Sequence, residues 1–194
     1  MLLSGSHQTG DASEWVVRWS HLVQSGASVL DIACGSGRHM AWFASRGCQV
    51  IGIDRAQDAL DCASGFGTTV LADIENDPWP LIIDGLPRQF DLVVVTNYLW
   101  RPIFQHMLDS LAPGGLLLYE TFTQGNETVG KPSRPDFLLK PGELLQLCLG
   151  LHIVAYENGF LSQPDRFVQR IAAFRASGDA DASVGNARRL LSLK

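Results

Sequence analysis

Short apolar runs without alternation, each followed by a stretch of helical period, are the feature that most constrains what this chain can fold into. Ser28 to Ile32 (SVLDI), Gln49 to Ile53 (QVIGI, closing on Asp54) and Thr69 to Ala72 (closing on Asp73) are three such runs, and Phe90 to Thr96 (FDLVVVT) and Leu116 to Tyr119 continue the pattern. A strand buried on both faces reads as a continuous apolar run, and strands separated by helices pair in parallel. The intervening helices are expected from about Asp11 to Gln24, where Trp15, Val16, Trp19, Leu22 and Val23 recur at helical spacing. Others are expected through Ala41 to Ala44 ending at Gly47, over Ala56 to Ala63, over Ile103 to Leu111 and over Glu143 to Leu149. Ala112-Pro113-Gly114-Gly115 reads as a turn, and residues 121–141, rich in Gly, Pro and Asn, as a long loop. Leu151 to Tyr156 and Phe167 to Phe174 are joined by a short polar turn, so they form an antiparallel pair. The expectation is an α/β sandwich of three layers, with about seven strands and helices on both faces.

The chain has 194 residues, enough for one substantial core. Residues 1–10 read as a flexible N-terminus, 11–175 as a single domain, and 176–194 as a tail in which Ala187 to Leu193 can wind one or two helical turns. A net charge of -5 disfavours bulk binding to phosphate backbones. No two of Cys34, Cys48, Cys62 and Cys148 are spaced as C-x-x-C, so neither a zinc site nor a redox pair is expected, and free thiols fit a reducing cytosol. The opening MLLSGSHQTG lacks the basic and apolar regions of a signal peptide, and no apolar stretch approaches the ~20 residues of a membrane span. A cytoplasmic protein without metal or membrane contact is expected, as a monomer or homodimer.

In such sheets ligands bind beyond the carboxyl ends of the strands, where strand order reverses. The first strand ends in Asp31-Ile32-Ala33-Cys34-Gly35-Ser36-Gly37, whose small residues allow a sharp turn and close approach of backbone to ligand. Amides at the following helix start favour an anionic group, although the same turn also occurs without a ligand. Asp54 can accept from both ribose hydroxyls of a nucleoside, or can simply cap a helix. Asp73 can accept from an adenine amino group, or can be a plain loop aspartate. A dinucleotide fingerprint starting at Gly35 would need glycine at position 40, where Met40 stands. Asp31 suits an ammonium group better than a pyrophosphate, which further disfavours a nicotinamide oxidoreductase.

VLDIACGSG, VIGID, LADIE, FDLVVV and LAPGG, in that order, resemble the motif set of class I S-adenosylmethionine (SAM)-dependent methyltransferases, over about Ala27 to Arg175. The resemblance implies a Rossmann-like, mostly parallel seven-stranded sheet with the last strand antiparallel. It also implies an enzyme that uses SAM and releases S-adenosylhomocysteine. It implies that Gly35 and Gly37 pass close to SAM, that Asp54 holds the ribose, and that Asp73 with Ile74 meets the adenine. Ala33, Cys34, Arg55 and Thr96 complete the expected cofactor set. Ala33 stands where many members have glycine. GSGRH together with NYLWRP is more loosely similar to small enzymes of the tellurite-resistance type.

The reacting methyl is expected near the ends of the first, fourth and fifth strands. Asn97 and Tyr98 can position the methionine end of SAM or the acceptor, or can serve as a helix cap and an aromatic packed on the sheet edge. Glu120 is either a general base or a partner of Arg101 or Arg134. His39, His106 and His152 are expected at the surface or in packing, and Trp79 in packing. The loop over 121–141, with Gly125 and Gly130 as hinges, is expected to close over the site and enclose a small-molecule acceptor. The alternatives are an RNA or protein acceptor, or a SAM-binding module without catalysis.

Overall fold

The computed structural model of the chain describes residues 10–177. The expectations for residues 1–9 and 178–194, including the helical turns over Ala187 to Leu193, lie outside the described residues.

The strands in chain order are β1 (Ser28–Ile32), β2 (Gln49–Asp54), β3 (Thr68–Leu71), β4 (Ile82–Ile83), β5 (Leu86–Pro87), β6 (Phe90–Thr96), β7 (Leu111–Phe122), β8 (Leu151–Leu161) and β9 (Arg166–Arg175). Seven of them form one sheet in the order β3-β2-β1-β6-β7-β9-β8. β1, β2, β3, β6 and β7 run parallel, while β9 runs antiparallel to both of its neighbours, β7 and β8. The last strand is therefore the antiparallel one, and it slots inside the penultimate strand rather than at the edge.

The helices are α1 (Glu14–Trp19), α2 (Arg38–Ser45), α3 (Gln57–Ala63), α4 (Phe104–Asp109) and α5 (Glu143–Leu147). Trp15 and Val16 of α1, Met40 and Phe43 of α2, and Leu60 and Ala63 of α3 pack on one sheet face with Val29, Leu92, Val94, Leu116 and Leu118. Met107 of α4 and Leu144 of α5 pack on the other face with Leu30, Ile32, Val93, Val95 and Leu117. Successive residues of a strand point to opposite faces, so the continuous apolar runs of β1 and β6 feed both cores.

Four local readings change. The helix expected over Asp11 to Gln24 is shorter, with Ser13 capping α1 through its side chain and a 3₁₀ turn over Ser20–Leu22. The Ala112 to Gly115 turn lies inside β7, as an irregularity between the pairs Phe90↔Leu111 and Leu92↔Leu116. β4 and β5 form a separate hairpin through the left-handed Asp84 and Gly85, in a stretch to which the sequence reading assigns no element. The long loop is pinned: Asn126 is buried, its Nδ2 donates to Pro132 O and its Oδ1 accepts from Phe167 N. Gln169 Nε2 donates to Thr123 Oγ1 and Lys140 O, and Arg101 donates to the carbonyls of Asp136 and Leu138. At Gly125 (φ +103°) an added Cβ would meet the Phe167 ring at 3.0 Å, so this glycine is a packed corner.

Candidate functional site

Strand order reverses between β1 and β6, and two cavities open at their carboxyl ends. One is lined by Ala33, Asp54, Arg55, Asp73, Ile74, Glu75 and Tyr98, among others. The other is lined by Gly10, the turn from Ala33 to Ser36, Arg38, His39, and Thr96 to Tyr98. Ala33 and Tyr98 belong to both, so the cavities meet there.

The backbone turns sharply at this junction. Ala33 and Asn97 follow the ends of adjacent strands, and both are left-handed, at φ +54° and +55°. For an alanine this conformation costs roughly 1–2 kcal/mol, which gives the physical reason why glycine is common at position 33 in the resembling family. Gly37 is also left-handed, and a Cβ there would lie 2.8 Å from Ala63 Cβ. Only glycine lets the start of α2 lie this close to α3. Met40 is fully buried over Gly52, where a Cβ would lie 2.3 Å from its sulfur.

Asp54 ties the turn to β2. Its Oδ2 accepts from Gly35 N at 2.7 Å and its Oδ1 from Ala56 N at 3.0 Å. Each carboxylate oxygen has capacity for a second donor, so two hydroxyls can still be accepted. Asp73 is exposed. Hydrogen bonds from the Asn76 side chain and then from Glu75 N hold its carboxyl below the usual range, so it remains an acceptor. Arg55 lies 4.0 Å from Glu75.

The second cavity is polar underneath. Asp31 is 1% exposed, and its Oδ2 has no hydrogen-bond partner among the described residues. Burial pushes its carboxyl up to about 8, against the charge of Arg38 and with a further push from Asp54. Asp31 itself lines neither cavity; its Oδ2 lies 3.9 Å from Nδ1 of His39, which does. His39 is buried at 2% exposure, and its Nε2 accepts from Ser13 N at 3.2 Å. Burial, then the Arg38 charge, lowers the imidazole to about 3, so the ring is neutral with its proton on Nδ1. Nδ1 lies 3.4 Å from Thr96 Oγ1, to which Arg38 Nη2 also donates at 3.3 Å.

Tyr98 has a buried hydroxyl, and burial followed by the charge of Glu75 raises it well above the usual phenol range. A tyrosine held protonated in this way donates a hydrogen bond and does not act as a base. Glu120 lies away from the cavities' lining. Its Oε2 sits 3.3 Å from Arg170 Nη1, and both side chains are 4% exposed. Its ion-pair partner is thus Arg170, neither Arg101 nor Arg134. Arg101 instead holds Glu143, and Arg134 lies 3.0 Å from Asp136. Trp79 is in the core, stacked on His106 at 5.7 Å.

The structure thus brings Ala33, Cys34, Gly35, Asp54, Arg55, Asp73, Ile74, Thr96, Asn97 and Tyr98 to the cavities, leaves Asp31 just behind them, and uses Gly37 to pack the helix start. Gly10, Arg38 and His39 are lining residues that sequence reasoning missed. Arg38 was within reach as the first residue of a helix that starts at the glycine turn; nothing in the sequence marks His39 as buried.

A family model described as a methyltransferase domain matches residues 29–115, from β1 into β7. Over that segment the chain is similar to a methyltransferase domain. Two curated relatives, tRNA U34 carboxymethyltransferases of Klebsiella pneumoniae, are 33% identical over 131 residues. That match covers 59% of this chain and 39% of theirs, so the chain spans well under half the length of these relatives. Among solved structures, TehB from Haemophilus influenzae superposes with a TM-score of 0.72 at 19% identity, covering 87% of this chain and 64% of that one. A SAM-dependent methyltransferase from Methanosarcina mazei gives 0.65 at 17% identity, covering 87% and 100%. At these identities the structural likenesses speak to the fold of the methyltransferase domain. No helix among the described residues is long and apolar enough to cross a membrane.

Proposed function

We propose that this chain transfers a methyl group from SAM to a small-molecule acceptor. The observation that carries the reading is the pair of cavities meeting at Ala33 and Tyr98 at the switch point, one walled by acids and the other by Arg38 and the glycine turn. The first suits a nucleoside: Asp54 retains acceptor capacity for ribose hydroxyls, Asp73 for an adenine amino group, and Ile74 offers an apolar wall. Arg55 borders the same cavity. The second suits an amino-acid end, with Arg38 and the backbone of Gly35 and Ser36 on the carboxylate, Cys34 and Thr96 in the wall, and behind it the Asp31 carboxyl, which an arriving ammonium group favours in its ionised form.

SAM supplies an electrophilic methyl group on a sulfonium. Asn97 and Tyr98 stand at the junction, where a positioned donor and a bent backbone can orient the reacting centre. Orientation accounts for a large part of the rate in such displacements. Glu120 has no part in this reading, because its charge is already matched by Arg170. A small acceptor is favoured by the net charge of -5 and by the acidic rim of Asp54, Asp73 and Glu75, which repels a polyanion. An RNA acceptor is the second reading, favoured by the likeness to the tRNA-modifying relatives.

Calorimetry with SAM, S-adenosylhomocysteine and NAD tests the cofactor; tight NAD binding without SAM binding overturns the reading. Transfer of labelled methyl to a panel of small acceptors and to bulk tRNA tests the acceptor. Label appearing only in tRNA selects the second reading, and binding without transfer to any acceptor indicates a module that has lost catalysis.

A further inference from the structure

His39 is the one imidazole among the residues lining the cavities, and its two nitrogens face different parts of the molecule. Nε2 accepts the backbone N–H of Ser13, the residue that caps α1. Gly10, three residues earlier, lines the same cavity as His39. Gly10 is therefore part of the wall of that cavity, at the start of a stretch that the Ser13 bond ties to α2 through the His39 side chain. Because Nε2 accepts, the proton of the neutral ring lies on Nδ1, which is directed toward Thr96 Oγ1 and Asp31 Oδ2. The ring thus ties the Gly10 side of the cavity to Thr96 in its lining and to Asp31 behind it.

We infer that His39 is a positioning residue for the amino-acid end of the bound nucleoside: one nitrogen holds the Gly10 to Ser13 stretch and the other steadies Thr96 and the Asp31 carboxylate. This rests on the SAM reading of the cavities. His39 acts only through these neighbours, so it serves as neither base nor nucleophile. The charged groups around it are Asp31 on β1, Arg38 on α2 and Asp54 on β2. An ammonium group arriving near Asp31 needs that carboxylate ionised and held still, and a neutral N–H donor beside it serves both ends without adding a competing positive charge.

The test compares two nucleosides. S-adenosylhomocysteine carries the amino-acid end, whereas 5′-methylthioadenosine lacks it and probes only the Asp54 cavity. His39→Phe should weaken the first at least tenfold and the second less than twofold, as measured by calorimetry. His39→Gln, whose carbonyl can still accept from Ser13 N, should recover most of the loss. Ser13→Pro removes the N–H at a φ of -60° that proline adopts and should reproduce the selective loss, while Ser13→Ala removes only the hydroxyl cap and should not. Long-range ¹H–¹⁵N spectra of the wild-type protein should show a neutral His39 protonated on Nδ1 across pH 5 to 8. Equal losses for both nucleosides, wild-type affinity in Ser13→Pro, or a ring protonated on Nε2 overturns the inference while leaving the SAM reading intact. If the wild-type chain binds neither nucleoside, the SAM reading itself falls and takes this inference with it.

Discussion

Asp31 and Glu120 are both buried acids near the ends of parallel strands, and both face the layer that holds α1 and α2. Asp31 is 1% exposed and Glu120 3%. Their surroundings differ in one respect. Glu120 pairs across the sheet with Arg170 of β9, which in turn holds Glu157 of β8 at 2.6 Å. Asp31 leaves Oδ2 without a hydrogen-bond partner among the described residues, and burial holds its carboxyl near 8. A strand-end acid is therefore part of the scaffold when the fold completes its pairing. In the proposed reading, it belongs to a site when the fold leaves that pairing to a ligand.

The hardest way to break this comparison is to remove Arg170. Arg170→Met strands a buried Glu120 and should cost about 3–5 kcal/mol of stability. Urea denaturation checks this, and any protein that remains folded should keep its affinity for S-adenosylhomocysteine. A midpoint close to wild type would show that the Glu120 pair is not a structural element.

Asp31→Asn should act in the opposite sense, sparing the fold and weakening SAM binding about tenfold, in line with the ~1.5–3 kcal/mol of a charge-assisted contact. The pH dependence sharpens the contrast. The unfolded carboxyl ionises near 3.8 and the folded one near 8, so between these values the folded state binds more protons. Stability of the ligand-free protein should fall as pH rises through that window, and Asp31→Asn should flatten the fall. Thermal melts from pH 4 to 8 decide this, and parallel curves for the two proteins would contradict it.

Asp54→Ala removes the ribose acceptor and also releases Gly35 N and Ala56 N. SAM affinity should drop at least roughly tenfold, since each charge-assisted bond is worth about 1.5–3 kcal/mol. An unchanged dissociation constant would mean that the ribose lies elsewhere. The smallest effect is expected at Ala33. Ala33→Gly relieves the left-handed backbone, offset by the added freedom of glycine in the unfolded chain, for a net gain of up to about 1 kcal/mol. A loss of stability, read as a lower urea midpoint, would show that the alanine methyl group packs usefully.

The cleft was legible in the sequence where the signal is local. Apolar runs that close on Asp54 or Asp73, and a turn of small residues after Asp31, follow from neighbours a few positions away. What escaped depends on residues far apart in the chain. β7 reaches back through Pro113 and Gly114 because Leu111 pairs with Phe90 of β6, and forward into a segment read as loop because β9 pairs with it as far as Phe122. The stretch over 121–141 reads as a mobile lid by composition, yet Gln169, Phe167 and Arg101 pin it from distant positions. His39 reads only as a surface or packing residue in sequence, because the partners that fix it, Ser13 and Thr96, are distant in the chain.

The placement of β9 between β7 and β8 also sets an order of assembly. Arg166, where β9 begins, lies 44 positions after Phe122, where β7 ends. As the chain emerges from the ribosome, β1, β2, β3, β6 and β7 can associate while the outer edge of β7 still lacks its neighbour. β8 emerges next, and its one strand partner among the described residues, β9, is not yet made. During that interval Glu120 waits for Arg170, and a row of unpaired backbone groups along β7 is open to other chains. The vulnerable stage thus falls between the emergence of β7 and that of β9, after the strands that border the two cavities can already associate.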